Sequence, residues 1–165
     1  TSTAAGSPKD TGRGTAARVA ERAAGVIVRD ADFAADFANL RFVRATVFIA
    51  EQNVPADIEF DDRDPLCRHV LVLEGAAPVG TGRLDVDYGG KVGRVAVIAS
   101  RRRGGVGTAV MERLHEIARE QHLLKVWCHA QLTAVPFYER LGYRAMGAVF
   151  DEAGIDHVRM ECALR

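Results

Sequence analysis

The sequence lacks the features that would place it outside the class of ordinary globular domains. Among its 165 residues it has only three cysteines, Cys67, Cys128 and Cys162, and no CxxC pair. We therefore expect reduced thiols that fill the core of a cytoplasmic protein, and no nucleophilic cysteine. No apolar run approaches the roughly 20 residues of a membrane span, and no segment resembles a signal peptide.

The chain also has no net charge. The 22 Lys and Arg residues balance the 22 Asp and Glu residues, so no overall field directs the protein to nucleic acid or to a membrane. A content of 48% apolar and 27% charged residues is typical of a globular protein. We expect a single domain over residues 21–165, preceded by a flexible tail over residues 1–20 that is rich in small residues.

Two common nucleotide-binding motifs are absent. No Gly-Lys-Ser/Thr tripeptide occurs, which excludes a P-loop. A dinucleotide fingerprint is disfavoured because Val110 stands where a third small residue is needed, and no acid follows the next strand. The chain does contain Arg102-x-x-Gly105-x-Gly107 between an apolar strand and a helix. Glycines and free N–H groups at a helix start bind phosphate, so this segment predicts a phosphate-bearing cofactor.

The hydrophobic pattern predicts a mixed α/β fold in the order β-α-β-β-β-α-β-α-β-β. We expect a twisted, mixed sheet of six or seven strands with flanking helices on both faces. Because a right-handed crossover joins strands 92–98 and 124–130, these two strands are expected to be parallel. The first helix is expected to run from Asp30 or Asp32 to about Asn53.

Several charged residues have two interpretations. The acidic stretch 51–66 is either a solvated loop or a field that attracts a cationic amine. His115-Glu116 begins like a zinc motif, but Arg119 replaces the second histidine, so no metal is expected. We assign these residues, with Arg113, to the water-facing side of helix 105–120.

The glycine segment resembles the acetyl-CoA motif of the GNAT N-acetyltransferase superfamily. A second segment, Gln131-x-x-Ala134-x-x-Phe137-Tyr138, resembles the downstream motif of the same family, although Gln131 replaces the commoner Asn. Other pieces are similar to the ElaA/YjcF-like branch of the family, and the resemblance covers about residues 25–165. They include Gly82-Arg83-Leu84, Gly93-Arg94-Val95, His129-Ala130-Gln131 and Gly154-Ile155-x-His157-x-x-Met160.

The resemblance implies a GNAT-type fold in which the parallel strands splay apart, with acetyl-CoA as co-substrate. The earlier strand would bind the pantetheine arm through its backbone, and the amides of residues 103–108 would bind the pyrophosphate. The residues implied at the cofactor are Val95, Ala96, Val97, Arg102, Arg103, Gly104, Gly105, Val106, Gly107, Thr108, Gln131 and Phe137.

The resemblance also implies that Tyr138 protonates the departing thiolate. A phenol, with an ordinary pKa of about 10, is a suitable donor. The alternative is that Tyr138 only packs its helix on the sheet.

The base that deprotonates the amine is left open among three candidates. His129 shares a strand face with Gln131, and histidine is the side chain best matched to proton transfer near pH 7, although His129 could instead be a hydrogen-bonded structural histidine. Glu51 is the second candidate, but it shares a helix face with Arg44 and could serve in an ion pair. A bound water is the third.

The sequence thus predicts direct acetyl transfer to a primary amine of a small molecule or peptide, without metal. The alternative is a non-catalytic CoA-binding sensor or interaction module, which would need neither Tyr138 nor a base. The acceptor amine is not identified, and the oligomeric state is left open between monomer and homodimer.

Overall fold

A computed structural model describes residues 19–22 and 25–165 as helices and loops around one eight-stranded sheet. Its strands run in the order β1-β2-β3-β4-β5-β6-β8-β7. All neighbours are antiparallel except β5 and β6. The strands are β1 Val19–Arg22, β2 Val26–Ala31, β3 Arg68–Glu74, β4 Ala77–Asp85, β5 Lys91–Val97, β6 Lys125–Gln131, β7 Arg144–Glu152 and β8 Ile155–Ala163.

The predicted mixed sheet and its parallel pair are confirmed, and the short strand β1 is added at one edge. Val19 and Ala20, which we assigned to the tail, belong to β1. The predicted tail at residues 1–18 lies outside the described residues. Among the described residues, no helix is long and apolar enough to span a membrane.

Helices cover both faces of the sheet, as predicted. The helix after β2 begins later than predicted, at Phe37. Its α-helical part ends at Arg44 and continues as a π-helical segment, Ala45–Glu51, which ends close to the predicted Asn53. Asp32 does not cap this helix directly, although its carboxylate accepts the N–H of Ala35 in the preceding turn. The α-helices are α1 Phe37–Arg44, α2 Ala56–Glu59, α3 Val106–Glu120 and α4 Val135–Arg140.

Two glycines of β4 allow α3 to lie directly on the sheet. A Cβ atom added at Gly80 would lie 2.6 Å from Val106, and one added at Gly82 would lie 2.7 Å from Val110. Both distances are shorter than any side chain tolerates, so only glycine permits this contact. The stripe of α3 that faces the sheet is buried as predicted and contains Val106, Val110, Leu114 and Ile117.

The assignment of Arg113 and His115 to a water-facing side of α3 is wrong. Arg113 is buried and donates to both carboxylate oxygens of Asp30, at 2.7 and 3.0 Å. His115 is buried and its Nε2 lies 2.7 Å from the Tyr143 hydroxyl. Both polar side chains can be buried because each has a hydrogen-bond partner, in β2 or in the segment before β7. Polar residues in α3 therefore do not all mark its exposed side.

The acidic stretch 51–66 is not simply a solvated loop. Arg44 is 1% exposed and donates to Glu59 and Asp64, at 2.8 Å each. Arg83 donates to Asp61 and Asp64, at 2.7 Å each. The expected link between Arg44 and Glu51 is replaced by this network, since Arg44 points to α2 and the loop after it. Buried acids and arginines thus join α1, the loop and β4.

We predict that Arg44→Met lowers the free energy of unfolding by about 3 kcal/mol or more, because it leaves buried carboxylates short of a partner. Urea unfolding measures this loss. Arg41→Met, at an exposed position of the same helix, should stay within about 0.5 kcal/mol of the parent protein. A loss below about 1 kcal/mol for Arg44→Met would contradict the structural role of the network.

We also predict an acid dependence from Asp61. Burial alone would raise the pKa of Asp61, but Arg83, Arg94 and Arg44 outweigh it and lower the pKa from 3.8 to about 2. A lowered pKa gives stability that is present above the unfolded value and is lost as the pH falls towards the folded value. The stability difference between the parent and Asp61→Asn should therefore shrink between about pH 4 and pH 2. A difference that stays constant over this range would refute the assignment.

Candidate active site

The site is built where the parallel strands β5 and β6 separate. Their ladder contains two residue pairs, Lys91 with Trp127 and Val92 with Cys128. Beyond Val92 the strands diverge, so 93–97 of β5 and 129–131 of β6 face a gap. The splayed parallel pair that the resemblance implied is thus present in the sheet.

A bulge in β5 lies at the point of divergence. The pairing of β4 with β5 shifts by one residue, so that Arg94 and Val95 both lie opposite Gly82. Arg94 has a φ of 53°, a left-handed conformation that costs a non-glycine residue about 1 kcal/mol or more. Its guanidinium donates to the carbonyl of Glu59 at 3.0 Å and to Asp61 at 3.1 Å. The buried ion network therefore holds the bulge in place.

A cavity of about 230 Å³ occupies this gap. Alternation along β6 buries Val126, Cys128 and Ala130 beneath α3 and leaves Trp127, His129 and Gln131 half-buried on the opposite face. Four residues predicted for the site line the cavity: Val95, His129, Gln131 and Tyr138.

The glycine turn after β5 has the geometry of an anion nest. Arg103 and Gly105 have φ angles of 63° and 86°, and both are exposed. No side chain caps α3 and its first turn has no acid, which leaves N–H groups and the helix dipole for an anion. A Cβ added at Gly107 would lie 3.3 Å from the Phe137 ring. The predicted phosphate segment 102–108 therefore contacts α4.

Tyr138 lies in α4 and is 8% exposed. Its ring makes edge contacts with Phe137 and Tyr143, with centroids 5.2 and 5.3 Å apart. Burial raises the pKa of Tyr138 far above its ordinary value, because a phenolate is poorly solvated there. Tyr138 lines the cavity and keeps its hydroxyl proton at neutral pH.

His129 has a carboxylate partner that the sequence did not indicate. Its Nδ1 lies 3.2 Å from Oε1 of Glu152, the last residue of β7. The second carboxylate oxygen lies 3.7 Å from Nε2 of His157 in β8. Both Glu152 and His157 line the cavity. His157 stands in the quoted motif Gly154-Ile155-x-His157, which could have drawn attention to it, whereas an acid at the end of a strand has no comparable signal.

Glu51 and Gln131 contact other parts of the site. Glu51 accepts from Arg102 at 2.7 Å, and Arg102 also donates to the Val97 carbonyl at 3.0 Å. Gln131 donates to the side chain of Gln52 at 2.8 Å. These contacts join the end of the π-helical segment to the glycine turn, and the residue after it, Gln52, to the end of β6. Glu51 does not line the cavity, so the structure brings it to the cofactor segment rather than to His129.

The three cysteines are buried, as predicted, and free. Burial raises the pKa of Cys67 and of Cys128 to about 12, so neither supplies a thiolate at neutral pH. Within the described residues, no three His, Cys, Asp or Glu side chains form a group that could hold a metal ion.

Comparison with known proteins agrees with this geometry. Residues 44–164 match the family model described as an acetyltransferase (GNAT) domain. YjcF of Bacillus subtilis, named an uncharacterized N-acetyltransferase, is 40% identical over 121 residues, which cover 72% of this chain and 86% of YjcF.

Two solved structures share the fold. An acyl-CoA N-acyltransferase from Pseudomonas aeruginosa has a TM-score of 0.73 and 27% identity, covering 82% of this chain and 99% of its own. ElaA of Escherichia coli has a TM-score of 0.73 and 26% identity, covering 82% of this chain and 98% of its own.

We predict that Gly105→Asp weakens coenzyme A binding at least tenfold, whereas Gly105→Asn weakens it less. A Cβ at Gly105 has no neighbour within 4 Å, so neither variant clashes with the protein itself. The remaining effects are the positive φ, which Asn tolerates, and the charge that Asp adds at an anion site. Calorimetry on the two folded variants separates these effects. Equal affinities for both variants would refute the anion site.

Proposed function

Because this chain belongs to the GNAT acetyltransferase family, we propose that it transfers the acetyl group of acetyl-CoA to a primary amine of a small molecule or peptide. The family and the N-acyltransferase neighbour support acyl transfer from an acyl-CoA in general. The observation that carries the specific proposal is the single cavity that contains His129, Tyr138 and Val95 at the divergence of β5 and β6.

In this proposal the cofactor spans from the glycine turn to the cavity. The pyrophosphate binds the amides of residues 103–108 and the pantetheine arm lies along Val95, Ala96 and Val97. In the free protein the Val97 carbonyl accepts a hydrogen bond from Nε of Arg102. This hydrogen bond must break if the pantetheine arm binds the same carbonyl. Phe137 packs against the turn at Gly107 and supports the bound nucleotide end.

The reaction is a direct displacement at the thioester carbon. The amine gives a proton to the base, and its nitrogen attacks the carbonyl carbon to form a tetrahedral intermediate. A backbone N–H near Val97 stabilises the oxyanion. The C–S bond then breaks and Tyr138 donates its proton to the sulfur, which gives the amide and free CoA. Burial keeps the phenol of Tyr138 protonated at neutral pH, so the proton is available, although the raised pKa also makes the phenol a weaker acid.

His129 is the base that we favour. It lines the cavity with Tyr138, whereas Glu51 is held by Arg102 at the cofactor segment. A water relay from the cavity to Glu51 remains the alternative, and replacement of each residue distinguishes the two. If Glu51 acts only through Arg102, Glu51→Gln should change the KM for acetyl-CoA more than kcat.

The acceptor is proposed to be a small amine or one amine-bearing side chain. A volume of about 230 Å³ is small beside the roughly 300–1,000 Å³ of sites for drug-sized ligands. We propose no nucleic-acid or membrane partner, since the net charge of zero provides no field for either. We propose a cytoplasmic location because the three cysteines are free and buried, which suits a reducing compartment.

We predict that Tyr138→Phe lowers turnover by about 10² while acetyl-CoA affinity changes little. The substitution keeps the ring in its aromatic cluster and removes the proton donor. The measurement is thiol release from acetyl-CoA with a panel of primary amines, followed by single-turnover kinetics with the best acceptor. Tyr143→Phe is a control, since it removes a second buried hydroxyl, bonded to His115, from the same cluster.

Near-parental turnover in Tyr138→Phe would leave Tyr138 as a packing residue. Absence of transfer to any amine in the parent protein, together with tight acetyl-CoA binding, would instead favour the CoA-binding sensor.

A further inference from the structure

A carboxylate between two histidines lies in the cavity, and neither the family motif nor the sequence assigns it a role. We propose that Glu152 is the positioning residue that makes His129 a base, by fixing which ring nitrogen carries the proton. This inference rests on the proposed function, because it assumes that His129 takes the proton of the amine.

The chemistry of the contact determines the tautomer. An ionised carboxylate only accepts hydrogen bonds, and Nδ1 of His129 lies 3.2 Å from Glu152 Oε1. Nδ1 must therefore carry the hydrogen, and the lone pair of the neutral ring is on Nε2. Without this partner both tautomers would be populated, and only the Nδ1–H tautomer leaves Nε2 free to take the proton of the amine.

The second histidine does not compete for this hydrogen bond. Nδ1 of His157 lies 2.6 Å from the carbonyl oxygen of Ile155 and must donate to it. Its Nε2 is 3.7 Å from the other oxygen of Glu152, which is too far for a direct hydrogen bond. The direct histidine contact of Glu152 is therefore with His129.

Aromatic rings restrict the motion of His129. The ring of Phe150, two residues before Glu152, makes an edge contact with His129 at 4.8 Å and stacks on His157 at 6.0 Å. Trp127 also contacts His129, with ring centroids 5.4 Å apart. Two aromatic rings thus pack on the imidazole, and Glu152 needs only to select its tautomer.

Two cations near His129, Arg159 and Lys91, are directed at other groups. Arg159 lies directly across the ladder from His129, but its guanidinium covers the Trp127 ring and donates to Glu161 at 2.8 Å. Lys91 lies on the same indole at 5.2 Å.

When the amine gives its proton to Nε2, the positive ring forms an ion pair with Glu152, which stabilises the charge that develops.

The test combines a spectroscopic readout with kinetics. In 15N-labelled protein, the His129 ring, identified by its loss in His129→Asn, should show the Nδ1–H tautomer. In Glu152→Gln it should become a mixture or the Nε2–H tautomer. Turnover should fall roughly 10- to 100-fold, less than the ~10⁴-fold seen when a buried triad carboxylate is neutralised. The KM for acetyl-CoA should be unchanged, and Glu152→Asp should recover part of the rate.

Asp156→Asn is the matched control, since it neutralises an exposed carboxylate in β8 beside His157. It should leave both the tautomer and turnover unchanged. An unchanged His129 tautomer in folded Glu152→Gln would overturn the inference even if the enzyme is active. The tautomer is measured without any amine, so failure to find an acceptor would count against the proposed function and not against this assignment.

Discussion

The separation of β5 from β6 after two residue pairs is the constraint on which the site depends. A continuous parallel ladder would pair the backbone of residues 93–97 within the sheet and leave no gap. The strands separate at the bulge, where Arg94 adopts a left-handed conformation. Its guanidinium donates to the Glu59 carbonyl and to the Asp61 carboxylate. Arg44 binds the side chain of Glu59, and Arg83 binds Asp61. Buried charge, which contributes little net stability in general, here specifies where the sheet opens.

The two groups proposed for proton transfer lie in contrasting environments within one cavity. Tyr138 is buried among rings, which raises its pKa and keeps it protonated. His129 is half-buried beside a carboxylate that is itself half exposed. A neutral acid and a base with an oriented lone pair are what thioester aminolysis requires. The two residues share the cavity because β6, which carries His129, leads through a short turn at 132–134 into α4, which carries Tyr138.

Much of this arrangement could be predicted from local sequence. The glycine turn, the alternation of Trp127, His129 and Gln131 and the buried stripe of α3 each depend on residues close together in the chain. Gly80 and Gly82 were not predicted as contact points, although a Gly-x-Gly pair in a strand indicates close approach of another element.

Contacts between distant residues could not be predicted in this way. The partners of Arg44 are 15 and 20 residues away, and Glu152 is 23 residues from His129. A run of acids has the same composition whether it faces water or a buried arginine. The prediction that Glu51 and Arg44 share a helix face assumed a regular α-helix. The π-helical segment Ala45–Glu51 has a different number of residues per turn and therefore turns Glu51 to another direction.

The most direct test of the account is a crystal structure with a thioether analogue of acetyl-CoA. We predict the pyrophosphate on the amides of residues 103–108 and the sulfur between β5 and β6, within hydrogen-bond reach of the Tyr138 hydroxyl. A second cavity, of about 1080 Å³, lies between β2, β3 and α3 and is lined by residues such as Phe33 and His69. An analogue bound there, or with its acyl group away from Tyr138 and His129, would contradict the account.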